Sequence, residues 1–229
     1  MSDIQNRIAE VKEKIRLAAQ KKNRPPEGVR LVAVSKTVEI DRIREAVEGG
    51  AIILGESRIQ EARDKIQVLG REGIQWHLIG HLQKNKVKYI YGLFDLVHSV
   101  DSLELAEEIN HRGALMNRRM DILVQVNIGH DQAKFGTDPE KALYLVKKIS
   151  RLKNLSIKGL MAIPPYYEDP EESRPHYTAL RELRDWLTTQ GFDLPELSMG
   201  MSHDFEAAVE EGATLVRVGS AIFGERIHV

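Results

Sequence analysis

Eight short apolar runs punctuate the chain, and a stretch patterned for a helix, or a short closing segment, follows each one. The runs cover residues 31–36, 52–56, 76–81, 96–101, 122–127, 157–163, 197–202 and 215–219. They are strand-length and nearly free of charge until their last residues, the signature of strands covered on both faces of a parallel sheet. Between them, 40–47, 57–69, 84–91, 102–112, 139–152, 175–189 and 205–210 read as helices, several closed by glycine. Strict alternation of this kind implies right-handed crossovers. Eight units in about 200 residues fit a closed (β/α)8 barrel of the TIM type. An open doubly wound sheet is the alternative, but no Gly-x-Gly-x-x-Gly turn follows any run. Residues 3–22 precede the alternation with Ile4, Ile8, Val11, Ile15 and Ala18 on one helical stripe. The expected organisation is a single α/β domain over 1–229, with an extra helix and turn in 1–28 and the barrel in 29–229.

Composition narrows the function. Lys plus Arg number 33 against 34 Asp plus Glu, so nothing advertises a polyanionic partner, and no nucleic-acid role is expected. There are no cysteines, which excludes disulfides, thiolate metal sites and thiol catalysis. The first residues are charged throughout, with no signal-peptide apolar region, and no run approaches a membrane span. A cytoplasmic protein with no membrane partner is expected.

In barrels of this class the chemistry gathers at the C-terminal ends of the strands. The runs end on Lys36, Glu56, His81, Asp101, Asn127, Ser202 and Gly219. Lys36 has two readings: a side chain snorkelling from a strand tip, or a desolvated amine suited to a Schiff base with an aldehyde. Ser202 is poised as N-cap of the helix after the seventh strand, and Gly219 with Ser220 opens the loop after the eighth. Loops seven and eight are the usual phosphate seat of such barrels, although a cap and a turn glycine explain each segment singly. Arg217, inside an apolar strand, either pairs with an inward carboxylate or donates to a ligand. A ligand with an aldehyde for Lys36 and a phosphate for loops seven and eight would be pyridoxal 5′-phosphate (PLP).

His77 and His81 stand four apart, sharing a strand face, and lack an evident third ligand; packing or hydrogen bonding near the cofactor is expected, and no metal. The run Lys84-Asn85-Lys86-Val87-Lys88 reads as a solvated helix face or as an anion or partner site. Tyr166 and Tyr167 either cover the barrel mouth or merely decorate their loop.

Five segments together carry a resemblance. Residues 33–36 (AVSK), 55–61 (GESRIQE), 76–86 (WHLIGHLQKNK), 197–202 (LSMGMS) and 216–224 (VRVGSAIFG) resemble, in matching order, the pyridoxal phosphate homeostasis protein family, also called proline synthase co-transcribed proteins. That resemblance implies a fold-type III PLP barrel like the alanine racemase N-terminal domain. By position, Lys36 would form the internal Schiff base. Ser202, backbone amides near Met201, and Gly219 with Ser220 would hold the phosphate, Arg217 would face the pyridine nitrogen, and His81 would lie near the cofactor. The family's usual Gly-Glu-Asn reads Gly-Glu-Ser here, so Ser57 keeps its place among the cofactor residues on position alone, without the side-chain amide. Lys134, in the turn 132–136, also fits the family pattern.

An arginine against the pyridine nitrogen makes the ring a poorer electron sink, which restricts carbanion chemistry. Alanine racemase adds an opposite-face tyrosine from its C-terminal β domain, and a chain closing at Val229 leaves no room for one. The expectation is therefore a monomeric, essentially non-catalytic holder of PLP in vitamin B6 and amino-acid homeostasis, passing it to apo-enzymes. A small amino-acid racemase on the same site is the alternative, and a regulatory interaction protein with a structural cofactor is a third.

Overall fold

The computed structural model describes residues 2–131 and 133–225. Gln132 of the turn 132–136, and the ends of the expected 1–229 domain, lie outside the described residues. The strands are β1 (Arg30–Val34), β2 (Ile53–Glu56), β3 (Gln75–Leu78), β4 (Leu96–Val100), β5 (Met120–Gln125), β6 (Leu155–Met161), β7 (Glu196–Met201) and β8 (Leu215–Val218). All pair in parallel, each with its sequence neighbour, and β8 returns to β1 to close the barrel. The expected architecture is present.

The helices are α1 (Asp3–Lys21), α2 (Ile40–Glu48), α3 (Ile59–Leu69), α4 (Leu103–Met116), α5 (Ala142–Ile149), α6 (Arg174–Thr189), α7 (Phe205–Glu210) and α8 (Ser220–Phe223). Helix α1 opens with a capping box: Ser2 Oγ accepts from Gln5 N, and Gln5 Oε1 accepts from Ser2 N. Its stripe, Ile4, Ile8, Val11, Ile15 and Ala18, is buried against α2, α7 and α8. Each covered isoleucine contributes about 1.5–3 kcal/mol of transfer free energy. The segment expected as a helix at 84–91 is instead a 3₁₀ helix, Lys84–Tyr89. Of its middle residues only Val87 is buried, and its lysines are exposed, so the solvated-face reading describes them. A one-residue apolar anchor gives little reason to extend an α-helix.

Two apolar cores result. The larger lies between the sheet and the helices; the smaller fills the barrel lumen with Val32, Ile53, Leu96, Leu123, Met161 and Leu215. Alternation along each strand assigns the faces: Val32 points into the lumen while Ala33 joins the outer core. Polar side chains stand level with this layer: Arg217 is registered with Val32 and His77 with Leu96.

Candidate functional site

Lys36 lies two residues beyond β1, in a turn, and is half-buried. With Val34, Gly219 and Ser220 it lines a cavity of about 300 Å3 at the C-terminal mouth. Ser202 is on the neighbouring loop, but it does not cap α7, whose N-cap is Asp204. Its Oγ instead accepts the N–H groups of Gly219 (3.0 Å) and Ala221 (3.3 Å), closing the start of α8 from across the mouth. Lying two residues before the cap, Ser202 is free to point at β8 rather than at its own helix. The turn that puts it there needs Gly200, at φ +88°, where an added Cβ would come within 2.5 Å of the Ala208 Cβ. The Met201 N–H, expected among the phosphate donors, donates instead to Asp204 Oδ1 at 2.7 Å.

Beneath the mouth a buried polar chain crosses the lumen. Arg217, 4 % exposed, donates through Nη1 to Ser198 Oγ (2.5 Å) and through Nη2 to the Ala162 carbonyl (2.9 Å). Ser198 Oγ is 2.9 Å from His98 Nδ1, and His98 Nε2 is 3.0 Å from His77 Nδ1. A guanidinium only donates, so the serine hydroxyl satisfies its own proton by donating to His98, and His98 by donating to His77. That direction leaves His77 accepting at Nδ1 and protonated on Nε2. Burial lowers His77 to about 3 and holds His98 well below the ordinary imidazole value, so both rings are neutral. Burial also lowers Arg217 to about 10, leaving it charged at neutral pH. Among the described residues it has no carboxylate partner within salt-bridge distance, contrary to the inward ion pair considered from sequence.

His77 and His81 therefore separate. His77 is sealed in the lumen, whereas His81 is exposed beyond β3, stacked on the Phe135 ring at 3.6 Å and 4.0 Å from Asp101. His81 and Ser57 line a different cavity, of about 330 Å3, with Arg58, Arg63 and Lys86; it shares no lining residue with the one that holds Lys36, so these two expected cofactor residues are not brought together with the lysine. Glu56 does not reach the mouth at all. It is buried on the outer face of the wall, accepting from Ser35 Oγ (2.6 Å) and from Lys65 (2.8 Å) under α3. Tyr166 is exposed against His203, while Tyr167 bonds His176 at 2.8 Å. Lys134 donates to the Pro164 carbonyl, tying loop five to loop six.

Sequence reasoning missed His98, Ser198, Lys65 and Glu61 as working residues. His98 carried a signal, a basic ring inside an otherwise apolar run. Lys65 carried another, a charge in line with Ile59 and Ala62 on the apolar stripe of its helix.

Chemically this end of the barrel offers a primary amine and a serine hydroxyl held by the amides at the start of α8, and the lumen holds a buried guanidinium with no carboxylate partner among the described residues. Together they suit a ligand bearing a carbonyl, an anion and an acceptor nitrogen.

Residues 7–227 match the family model described as alanine racemase, N-terminal domain. The pyridoxal phosphate homeostasis protein of Aquifex aeolicus is 45% identical over 96% of this chain and 97% of its own length. That of Escherichia coli is 38% identical over 99% and 98%. PipY of Synechococcus elongatus, solved with PLP bound, superposes with a TM-score of 0.82 at 38% identity, covering 92% of this chain and 99% of its own. An alanine racemase of Clostridium difficile shares the fold, with a TM-score of 0.74 at 16% identity, over 93% of this chain and 58% of its own. On its sequence identity over its full span, the chain belongs to the pyridoxal phosphate homeostasis protein family.

Proposed function

We propose that this chain binds PLP at the C-terminal mouth of the barrel, anchored on Lys36, and serves intracellular PLP and amino-acid homeostasis as a holder rather than a strong catalyst. The single observation that carries the reading is that Lys36 and the Gly219–Ser220 loop line one cavity, with Arg217 on the strand that leads into that loop. PLP supplies an aldehyde that an amine can hold covalently and a ring that withdraws electrons from what is attached to it. Lys36 is the anchor amine. The Ser202 hydroxyl, its oxygen held by the Gly219 and Ala221 amides and its proton left to donate, would form the phosphate seat together with Ser220. Arg217 offers only N–H donors, so a ring nitrogen facing it stays unprotonated. The relay behind Arg217 reinforces this: Ser198 and both histidines are oriented as neutral donors and acceptors, with no acidic proton to deliver. A site so arranged holds its ligand without priming it for α-proton chemistry. The single-domain barrel, the monomeric state and delivery of PLP to apo-enzymes belong to the same proposal. Among the described residues no helix is long and apolar enough to cross a membrane.

The test is an absorbance spectrum of purified protein with PLP, before and after borohydride, followed by peptide mass mapping. A band near the Schiff-base region that becomes fixed on the Lys36 peptide is expected. A protein that stays unlabelled with PLP in excess refutes the reading. Exchange of amino-acid α-hydrogens in heavy water, absent or very slow on this proposal, separates holder from racemase.

A further inference from the structure

Lys65 is buried, 6 % exposed, on the face of α3 that covers β1 and β2. Its ammonium donates to three oxygens: the Ser35 carbonyl at 2.5 Å, Glu56 Oε1 at 2.8 Å and Glu61 Oε1 at 2.6 Å. Three donors, three acceptors: its capacity is filled. Glu61 Oε1 also accepts the Thr37 N–H, and the Ser35 hydroxyl closes onto Glu56. The peptide groups on both sides of Lys36 are thus gripped by one cluster, the Ser35 carbonyl by Lys65 and the Thr37 amide by Glu61.

The backbone there needs holding. Thr37 has φ +62°, a region a β-branched residue rarely enters. Such strain persists only where the surroundings over-determine it. The cluster is also a poor choice for stability alone. The rest of the layer between α3 and the sheet is apolar, and a buried ion pair is generally matched or bettered by apolar residues of the same volume. One oxygen of Glu56, Oε2, is buried without a hydrogen-bond partner. What apolar packing could not do is bond a carbonyl and an amide.

We propose that Lys65, Glu56 and Glu61 form a positioning device for Lys36: built on the outer side of the barrel wall, it fixes the backbone on each side of the lysine and so sets where the amine is presented at the mouth. None of the three touches the ligand. The proposal rests on Lys36 being the anchor amine, as argued above.

Two readouts test it. The first uses the protein without added PLP: pulse acetylation with acetic anhydride across pH, with the Lys36 peptide compared with other lysine peptides by mass. The second is the rate of PLP capture, in which the Lys36 nitrogen bonds to the aldehyde carbon and the aldehyde oxygen leaves as water. Glu61→Ala removes the Thr37 anchor but keeps the buried Lys65–Glu56 pair, so folding is preserved. Its capture rate is expected to fall about tenfold or more, as a small misplacement of a reacting group does, with an altered pH profile of Lys36 acetylation. Glu61→Gln keeps an oxygen for the Thr37 N–H and is expected to restore capture to within about twofold of the parent, since the bond itself is retained. The pair Lys65→Met with Glu56→Gln removes the buried charges together, and is expected to slow capture by at least as much while still unfolding cooperatively. Parent-like capture and parent-like Lys36 acetylation in both Glu61→Ala and the double variant would overturn the proposal. If the parent itself took no PLP on Lys36, the functional reading would fall, while the acetylation profiles would still decide whether the device positions that lysine.

Discussion

The barrel wall that carries Lys36 separates two buried cations, and the fold treats them in opposite ways. Outside the wall, Lys65 sits among two carboxylates and a carbonyl. Inside it, Arg217 has a hydroxyl and a carbonyl but, among the described residues, no carboxylate within salt-bridge distance. Compensated charge is inert and fixes backbone; charge left short of an anion is available to a ligand. On the function proposed above, the same chemistry serves structure on one face and recognition on the other.

The sharpest way to break this comparison is to remove each cation in turn. Lys65→Met strands Glu56 in an apolar layer and should cost about 3–5 kcal/mol, the usual penalty for halving a buried pair. Arg217→Met strands only neutral partners and should cost about 1–2 kcal/mol. Urea unfolding of both variants is the measurement; a larger loss at Arg217 would mean that its charge is compensated by groups the comparison ignores.

Acid sharpens the same contrast. Burial keeps His77 and His98 neutral when folded, whereas the unfolded chain protonates them near pH 6.5. A depressed native pKa means the unfolded state binds more protons, so both contributions are complete above about 6.5 and are lost as pH falls below it, that of His77 down to about 3. His77 alone should remove about 1.4 kcal/mol per pH unit within its window. His77→Gln should flatten the pH dependence of the urea midpoint by one proton, and an unchanged slope would show that the lumen admits charge.

The smallest effect belongs to Thr37. Replacing it with glycine relieves the positive φ and loosens the unfolded chain, a net gain of about 0.5 kcal/mol in stability. Thermal unfolding should register the gain; a loss of stability would show that the threonine side chain itself holds the turn, sharing the work assigned to Glu61.

Much of this was legible in the sequence. Strand–helix alternation specifies a closed barrel because few other architectures bury eight apolar runs in so few residues. Lys36, Arg217 and Gly219 could be placed because each interrupts a run near its end. What could not be read was direction. Glu56 ends a strand as Lys36 follows one, yet a shift of one residue in parity sends it behind the wall. Ser202 looked like the cap of its own helix because local spacing cannot show that β8 comes alongside. The relay through His98 and Ser198 joins residues 100 apart, and only the closed lumen brings them together.

That parity has a consequence for how such a gene can change. Ser35 faces the outer carboxylate and Lys36 faces the mouth, adjacent residues on opposite sides of one strand end. A single-codon insertion or deletion within β1 would exchange them, delivering the lysine to Glu56 and the serine to the mouth. The chain would still close its barrel, but a second ammonium would crowd the existing Lys65–Glu56 pair and the mouth would lose the proposed anchor amine. Length variation should therefore accumulate in the loops between 164 and 173, never between 30 and 37, even where the residue types in β1 drift freely.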